Sequence, residues 1–254
     1  KIYKIGGSQA IAAMAYGTET IPKVDKIFGP GNQFVMAAKQ LVALENVAID
    51  MPAGPSEVAV IADDSCQPEF VAADLLSQAE HGPDSQVLLI TPHAEIIQPV
   101  QIEIDRQLAT LPRKDIAEKS LANSQIILVK NMAEAIEITN EYAPEHLIIA
   151  TRNPREIAHQ IQHAGSVFLG HYSTESAGDY ASGTNHTLPT KGYAKAYSGL
   201  CLDSFMRKIT YQELSADGLR HLGPIIEEMA QAEQLTAHKQ AVSIRLATLS
   251  TENQ

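Results

Sequence analysis

The sequence is poor in the features that mark several common classes of protein. Of its 254 residues only 19 are Lys or Arg, against 30 Asp or Glu, so the formal net charge is -11 at pH 7. Such a charge repels a phosphate backbone, and no run of basic residues compensates for it. We therefore predict that nucleic acid is not a partner.

Cysteine and long apolar runs are also scarce. The two cysteines, Cys66 and Cys201, show no C-x-x-C spacing, so neither a thiolate zinc site nor a disulfide framework is indicated. The longest apolar stretches, such as residues 58–62, have the length of a strand, whereas a membrane span requires roughly 20 residues. We expect a soluble protein in a reducing, cytoplasmic setting and no membrane partner.

What the sequence does contain is an alternation of short apolar runs and amphipathic segments. The apolar runs predict strands at residues 2–5, 26–28, 57–62, 86–91, 125–129, 147–150 and 166–169. The segments with helical periodicity predict helices at residues 8–16, 33–44, 68–81, 94–111, 133–141 and 155–161. This alternation predicts an α/β fold of Rossmann-like parallel sheets with flanking helices.

Two regions depart from the alternation. Residues 171–197 are rich in Gly, Ser, Thr, Asn and Pro, and we predict a long loop there, a kind of segment that often carries function. Residues 204–249 have helical character, with a predicted break at residues 223–224. The chain therefore ends in a predicted helical tail.

Gln78 and His81 lie three residues apart near the end of the predicted helix 68–81. This spacing places both side chains on one helix face, where they are able to share a ligand. The alternative is a solvated helix end, because Glu80, His81 and Gly82 resemble a C-terminal turn and cap.

Glu145 and His146 stand at the entry to an apolar strand, and we assign them to the carboxyl edge of the sheet, where α/β sites tend to form. A Glu beside a His offers a proton acceptor for water and a second base. The alternative is a polar pair without chemistry at the start of a strand.

Two further candidates are weaker on their own. Asp179 lies in the predicted long loop beside Gly178, where it is able to reach a metal or to form an ordinary turn. His238 lies in the helical tail, where a single histidine is usually structural or solvated.

Three glycine-containing turns precede helices or strands, and they read GGSQ, GPGN and GPSE. The GPGN turn, which ends at Asn32, has the position of a dinucleotide-binding turn, but it departs from G-x-G-x-x-G at Phe34. The GGSQ turn, which ends at Gln9, is able to present helix amides to a polar cofactor group. Ser56 supplies a hydroxyl in the third turn, and each turn is also explained as a turn alone.

Taken in order, a set of longer motifs resembles the histidinol dehydrogenase family along essentially the whole chain. They are GGSQAIAAMAYGT, GPGN, IDMPAGPSE, DLLSQAEHGPDSQ, APEHL, GSVFLG, ESAGDYASGTNHTLPT and LTAHKQAV. The resemblance implies three parts: a partial Rossmann-like NAD-side domain at 1–55, a Rossmann-like zinc and catalytic domain at 56–200, and a helical dimerisation tail at 201–254.

The resemblance also implies roles for individual residues. The implied zinc ligands are Gln78, His81, Asp179 and His238. The implied catalytic pair is Glu145 and His146, and the implied substrate contacts are the four ligands with His146, Ser56 and Glu233. The implied NAD contacts are Gln9 and Asn32, whereas His186 lies in a family motif without an implied role.

The activity that the resemblance implies is oxidation of L-histidinol to L-histidine with two NAD, while zinc holds the substrate. The family forms homodimers in which the tail completes the partner's site, so a monomer is expected to bind zinc poorly. The family also has an N-terminal region before the position of Lys1, and without it we expect an incomplete sheet framework and an inactive or aggregating protein. Two alternatives are a non-catalytic zinc-binding or dimerisation module, and a zinc hydrolase that needs no NAD.

Overall fold

The computed structural model describes residues 1–45 and 47–251, and these divide into two compact units. The first unit is Lys1–Phe205, and the second begins at Met206. Within the described part of the chain, no helix has the length and apolar character needed to cross a membrane. The division of the chain into three parts stays a prediction.

A parallel five-stranded sheet forms the centre of the first unit. Its strands, in spatial order, are β5 (Gln125–Leu128), β4 (Gln86–Thr91), β3 (Glu57–Ala62), β6 (His146–Ala150) and β7 (Ser166–Leu169). The helices that connect and flank them are α3 (Pro68–Ala79), α4 (Ala94–Leu108), α5 (Lys114–Ala122), α6 (Met132–Tyr142), α7 (Pro154–Ala158) and α8 (Glu175–Tyr180). The α/β fold with parallel strands is therefore confirmed.

The central strand β3 shows why the sequence forms this sheet. Its side chains alternate between two apolar cores, because successive residues of a strand point to opposite faces. Val58 and Val60 belong to the core that contains α3, and Ala59 and Ile61 belong to the core on the other face. Coverage on both faces explains the continuous apolar run, which is typical of buried parallel strands.

A smaller parallel sheet precedes the large one. It consists of β1 (Lys26–Ile27) and β2 (Ala48–Ile49), with α1 (Ser8–Tyr16) and α2 (Gln33–Ala43) as its helices. Ile11, Ile27 and Val42 are among the residues that form its core. The predicted strand at residues 2–5 is wrong, because Ile2 is 97% exposed and no described residue pairs with this segment.

The predicted loop at residues 171–197 is interrupted by α8. Glycine, serine and alanine conceal this helix in the sequence, but a packing requirement explains its Gly178, because a Cβ there would lie 2.6 Å from the Phe168 ring. The predicted helix 94–111 also ends earlier, at Leu108, and α5 follows it as a separate helix.

The second unit contains an antiparallel pair of helices, α9 (Ala216–Ala232) and α10 (Thr236–Thr251). The predicted break at 223–224 is wrong, because α9 continues through Pro224 and Gly223 lets Leu246 approach closely. The chain turns instead at Gln234, which has a φ of 61°. Helix is also absent from residues 206–215, where it was predicted.

Because of their different burial, two leucines of neighbouring strands should differ in how much their substitution by alanine lowers the free energy of unfolding. Leu89 of β4 is fully buried, whereas Leu128 of β5 is 54% exposed. We expect Leu89→Ala to lower the free energy of unfolding by about 2–5 kcal/mol because it leaves a cavity. Urea unfolding followed by circular dichroism measures this, and Leu128→Ala is the control, with an expected change below about 0.5 kcal/mol. Equal losses would contradict the core assignment.

Candidate active site

The amino edge of the large sheet carries the polar residues of the site. His146 is the first residue of β6 and pairs in register with Val58 of β3. The sequence-based assignment of Glu145 and His146 to the carboxyl edge is therefore wrong. The direction of the chain is the reason: residues that open a parallel strand lie at its amino end. Ala143 ends α6 in the left-handed conformation and Pro144 cannot continue the helix, so the pair stands at this end of β6.

The end of α3 reaches the same edge from the neighbouring connection. In a βαβ unit the helix runs antiparallel to its strands, so the end of the helix lies near the start of the next strand. Gln78 is fully buried in the last turn of α3, and His81 follows the helix and is exposed. Gly82 and Pro83 then redirect the chain toward β4.

Backbone groups of β3 hold the catalytic candidates in place. Glu145 Oε2 accepts a hydrogen bond of 2.9 Å from the backbone N–H of Glu57. His146 Nδ1 lies 3.1 Å from the carbonyl oxygen of Glu57. Because a carbonyl oxygen only accepts, Nδ1 carries the proton of the neutral ring and Nε2 keeps its lone pair.

The Nε2 atom of His146 is buried and has no hydrogen-bond partner among the described residues. Its neighbour is Asp179, whose Oδ1 lies 3.9 Å away, beyond hydrogen-bond distance. A buried acceptor without a partner is costly in a folded protein and calls for an explanation. A ligand that donates a proton to Nε2 supplies one.

Burial controls the protonation of the pair. Burial lowers the pKa of His146, which favours the neutral ring with its free Nε2. Burial raises the pKa of Glu145 well above its usual value, and the negative charges of Glu57, Glu175 and Asp179 raise it further. A cation bound among these carboxyl groups would lower their pKa values and favour the carboxylate form.

A candidate metal site lies beside this pair. His81, Glu175 and Asp179 each offer one ligand atom, and these atoms all lie within 4.8 Å of one another. Glu175 and Asp179 are one helical turn apart on α8, which places both carboxyl groups on one face. An imidazole nitrogen and carboxylate oxygens are donors that Zn²⁺ accepts, so the residues present fit this metal.

Glu175 is the residue that the sequence analysis missed. It is 1% exposed and accepts a hydrogen bond of 3.0 Å from Ser77 Oγ. With the amide nitrogen of Gln78 facing the carboxylate, Nε2 donates to both oxygens of Glu175 at 3.1 Å. The i, i+4 spacing of Glu175 and Asp179 in ESAGDY was the available signal, but it is a common pattern on helices.

Other predicted site residues meet at a cavity of about 430 Å³. Asn32, Ser56 and His81 lie on three different segments and all line it. The Asn32 side chain caps α2 by accepting from the backbone N–H groups of Phe34 and Val35. Gln9 is exposed in the first turn of α1 and is not among the residues that line this cavity.

The remaining two predicted site residues belong to the second unit. Glu233 ends α9 and His238 lies in the first turn of α10. Both are exposed. Three of the predicted zinc ligands, Gln78, His81 and Asp179, therefore belong to the first unit. The fourth predicted ligand, His238, and the predicted substrate contact Glu233 belong to the second.

Fold and site together define a class: an α/β protein with buried acid–base groups beside a cluster of metal-binding side chains. A sequence model of the histidinol dehydrogenase family matches residues 1–246. The chain belongs to the histidinol dehydrogenase family.

Individual relatives agree with this assignment. The chain is 69% identical over 246 residues to histidinol dehydrogenase of Bacteroides fragilis, and 68% identical over 249 residues to that of Bacteroides thetaiotaomicron. These matches cover 97% and 98% of this chain and 58% of each relative.

A solved structure gives the same result. The crystal structure of histidinol dehydrogenase from Elizabethkingia anophelis matches with a TM-score of 0.95 and 60% identity. The match covers 98% of this chain and 58% of that one. The chain therefore spans somewhat more than half the length of these three relatives.

Glu57 provides a test of the electrostatics at the amino edge. Burial raises its pKa from 4.5 to about 7, while the hydrogen bond from the Lys191 backbone lowers it. Because the folded protein binds this proton more tightly than the unfolded chain, the free energy of unfolding falls as pH rises from about 4.5 to about 7.

We expect Glu57→Gln to remove this loss, so the variant gains on the order of 2 kcal/mol relative to wild type between pH 4 and pH 8. Urea unfolding at a series of pH values measures the gain. Glu118→Gln, on the exposed side of α5, is the matched control and should follow the wild-type profile. A constant difference between Glu57→Gln and wild type would contradict the raised pKa.

Proposed function

We propose that the protein to which this chain belongs oxidises L-histidinol to L-histidine with two NAD and a zinc ion that holds the substrate. The observation that carries the proposal is family membership over nearly the whole chain, combined with the metal-binding cluster beside His146. The comparisons extend over 58% of the relatives' length, so the activity is proposed for the whole protein.

The proposed zinc ligands are Gln78, His81, Asp179 and His238. The close approach of His81 and Asp179 supports two of them, and the bonds between Gln78 and Glu175 support a fixed amide at the third. We propose that His238 and the substrate contact Glu233 come from the tail of a partner in a homodimer. When bound, the metal would hold the amine and imidazole nitrogens of histidinol.

The proposed NAD contacts are Gln9 and Asn32, and the proposed substrate contact beside them is Ser56. Support comes from the cavity that Asn32, Ser56 and His81 line together. Its volume of about 430 Å³ is within the usual range for small-molecule pockets. When bound, each of the two NAD molecules would supply a hydride acceptor, the first for the carbon that carries the alcohol and the second for the hydrated aldehyde.

His146 is the proposed base for the alcohol. Its Nδ1 proton is directed to the Glu57 carbonyl, and Nε2 is left without a partner on the side of Asp179. The hydroxyl proton of the substrate would pass to this atom. The lowered pKa of His146 keeps Nε2 free to accept it near neutral pH.

Glu145 is the proposed base for the water that attacks the aldehyde. The Glu57 N–H fixes its Oε2, and the surrounding protein excludes most of the bulk water, since the residue is 5% exposed. A carboxylate held in such a site is a stronger base than one in solution. Its removal should therefore affect acid formation more than alcohol oxidation.

Substitution of the pair tests these roles in the full-length enzyme. We expect His146→Asn and Glu145→Gln each to lower kcat by about 10²-fold or more, the usual contribution of acid–base catalysis. NADH production from histidinol measures this, and histidinal as substrate isolates the step assigned to Glu145. The exposed His159, changed to Asn, is the control, and a similar loss there would argue against a specific role for His146.

Metal analysis tests the ligand assignment separately from turnover. We expect His81→Ala to lower the zinc content of the purified full-length dimer severalfold or more, because one of four ligands is lost. Atomic absorption measures the content, and His93→Ala is the matched control outside the cluster. If His81→Ala kept its zinc, the assignment of His81 as a ligand would be rejected. If the wild-type protein held zinc but did not oxidise histidinol, the alternative of a non-catalytic zinc-binding module would be favoured.

A further inference from the structure

A buried ion pair, formed by Lys39 and Asp50, has no part in the proposed catalytic or metal-binding groups. Lys39 of α2 donates to Asp50, which follows β2, and their side chains are 1% and 0% exposed. Moving two charges out of water is costly, and a well-packed apolar pair is often at least as stable. Stability alone is therefore a weak reason for this pair.

The pair is fully engaged with the backbone of two segments. Lys39 Nζ also donates to the carbonyl oxygens of Gly29, at 2.7 Å, and Met51, at 3.1 Å. Asp50 accepts from the N–H groups of the same two residues, each at 2.7 Å. The N–H and the carbonyl of Gly29 and of Met51 are thus both held by one pair of side chains.

These two segments lead directly to the cavity. Gly29 begins the turn that ends at Asn32, and Met51 begins the segment that ends at Ser56. Gly29 has a φ of 120°, which residues other than glycine rarely adopt. Glycine itself has little preference for one backbone conformation, so other contacts must fix this turn. Asn32 and Ser56 both line the same cavity, so their separation depends on how the two segments are tied together.

We propose that Lys39 and Asp50 are positioning residues that fix the 29–32 turn against the 51–56 segment and thereby set the affinity for the nicotinamide dinucleotide. The proposal rests on the proposed function, since it takes this cavity as the dinucleotide and substrate site. In catalysis, a misplacement of about 1 Å by a distant mutation costs about 10²-fold, and we expect a looser tie between the two segments to weaken dinucleotide binding.

The test uses the full-length dimer with zinc bound. The double variant Lys39→Met/Asp50→Asn removes both charges and leaves no buried charge unpaired. The matched control is Val42→Ala, a core substitution on the same helix that leaves both Lys39 and Asp50 unchanged. The measurements are the thermal midpoint, the Kd for NADH from its own fluorescence, and kcat and KM for NAD.

We expect the double variant to melt near the control, with Kd for NADH and KM for NAD raised about tenfold and kcat changed less. The control should keep both constants within about twofold of wild type, because partial unfolding lowers the amount of active enzyme but not its affinity. Unchanged Kd and KM in a folded double variant would overturn the proposal.

Lys39→Met alone keeps the test decisive if the double variant does not fold, because Asp50 retains the N–H donors of Gly29 and Met51 and its carboxyl group is able to take up a proton instead of leaving a buried charge unpaired. We expect it to raise the Kd for NADH about threefold, and a wild-type Kd would overturn the proposal. Wild-type protein that binds NADH but makes none from histidinol would instead count against the proposed function and leave the positioning role to be judged by Kd.

Discussion

The antiparallel course of α3 against the parallel sheet is the constraint on which the site depends. It places the end of α3, with Gln78 and His81, at the edge where β3 and β6 begin. Because β3 and β6 pair in register, Glu57 and Glu145 stand side by side just before His146. The apolar cores on both faces of the sheet hold this arrangement, so packing far from the polar groups determines their distances.

The same arrangement concentrates acidic groups in a poorly solvated place. Burial raises the pKa values of Glu57 and Glu175 to about 7, and it also raises the pKa of Glu145 well above its usual value. Such a cluster is stable either with protons or with a cation, and His81 adds a nitrogen donor to it. The electrostatics of this edge are therefore compatible with a cation beside His146, whose charge would ionise the carboxyl groups as the proposed function requires.

The sequence predicted the five strands of the large sheet because each is a short apolar run, as in VAVIA of β3. It did not predict α8, since Ser, Ala and Gly conceal a helix that is formed by packing on Phe168, and with α8 it missed Glu175. The edge of the sheet was also assigned wrongly: Glu145 and His146 open an apolar run, so the direction of the chain already places them at the amino end of their strand, whereas the general preference of α/β sites for the carboxyl edge was applied to them. Pairing between the 29–32 turn and Asp50 could not be predicted, because long-range side-chain contacts leave no local pattern.

The most direct test of the account is a crystal structure of the full-length protein with data collected at the zinc absorption edge. The account predicts an anomalous peak at the amino edge of the large sheet, about 2.0–2.2 Å from a nitrogen of His81 and an oxygen of Asp179. A peak at the carboxyl edge of the strands, or an amino edge without one in protein that contains zinc, would contradict it.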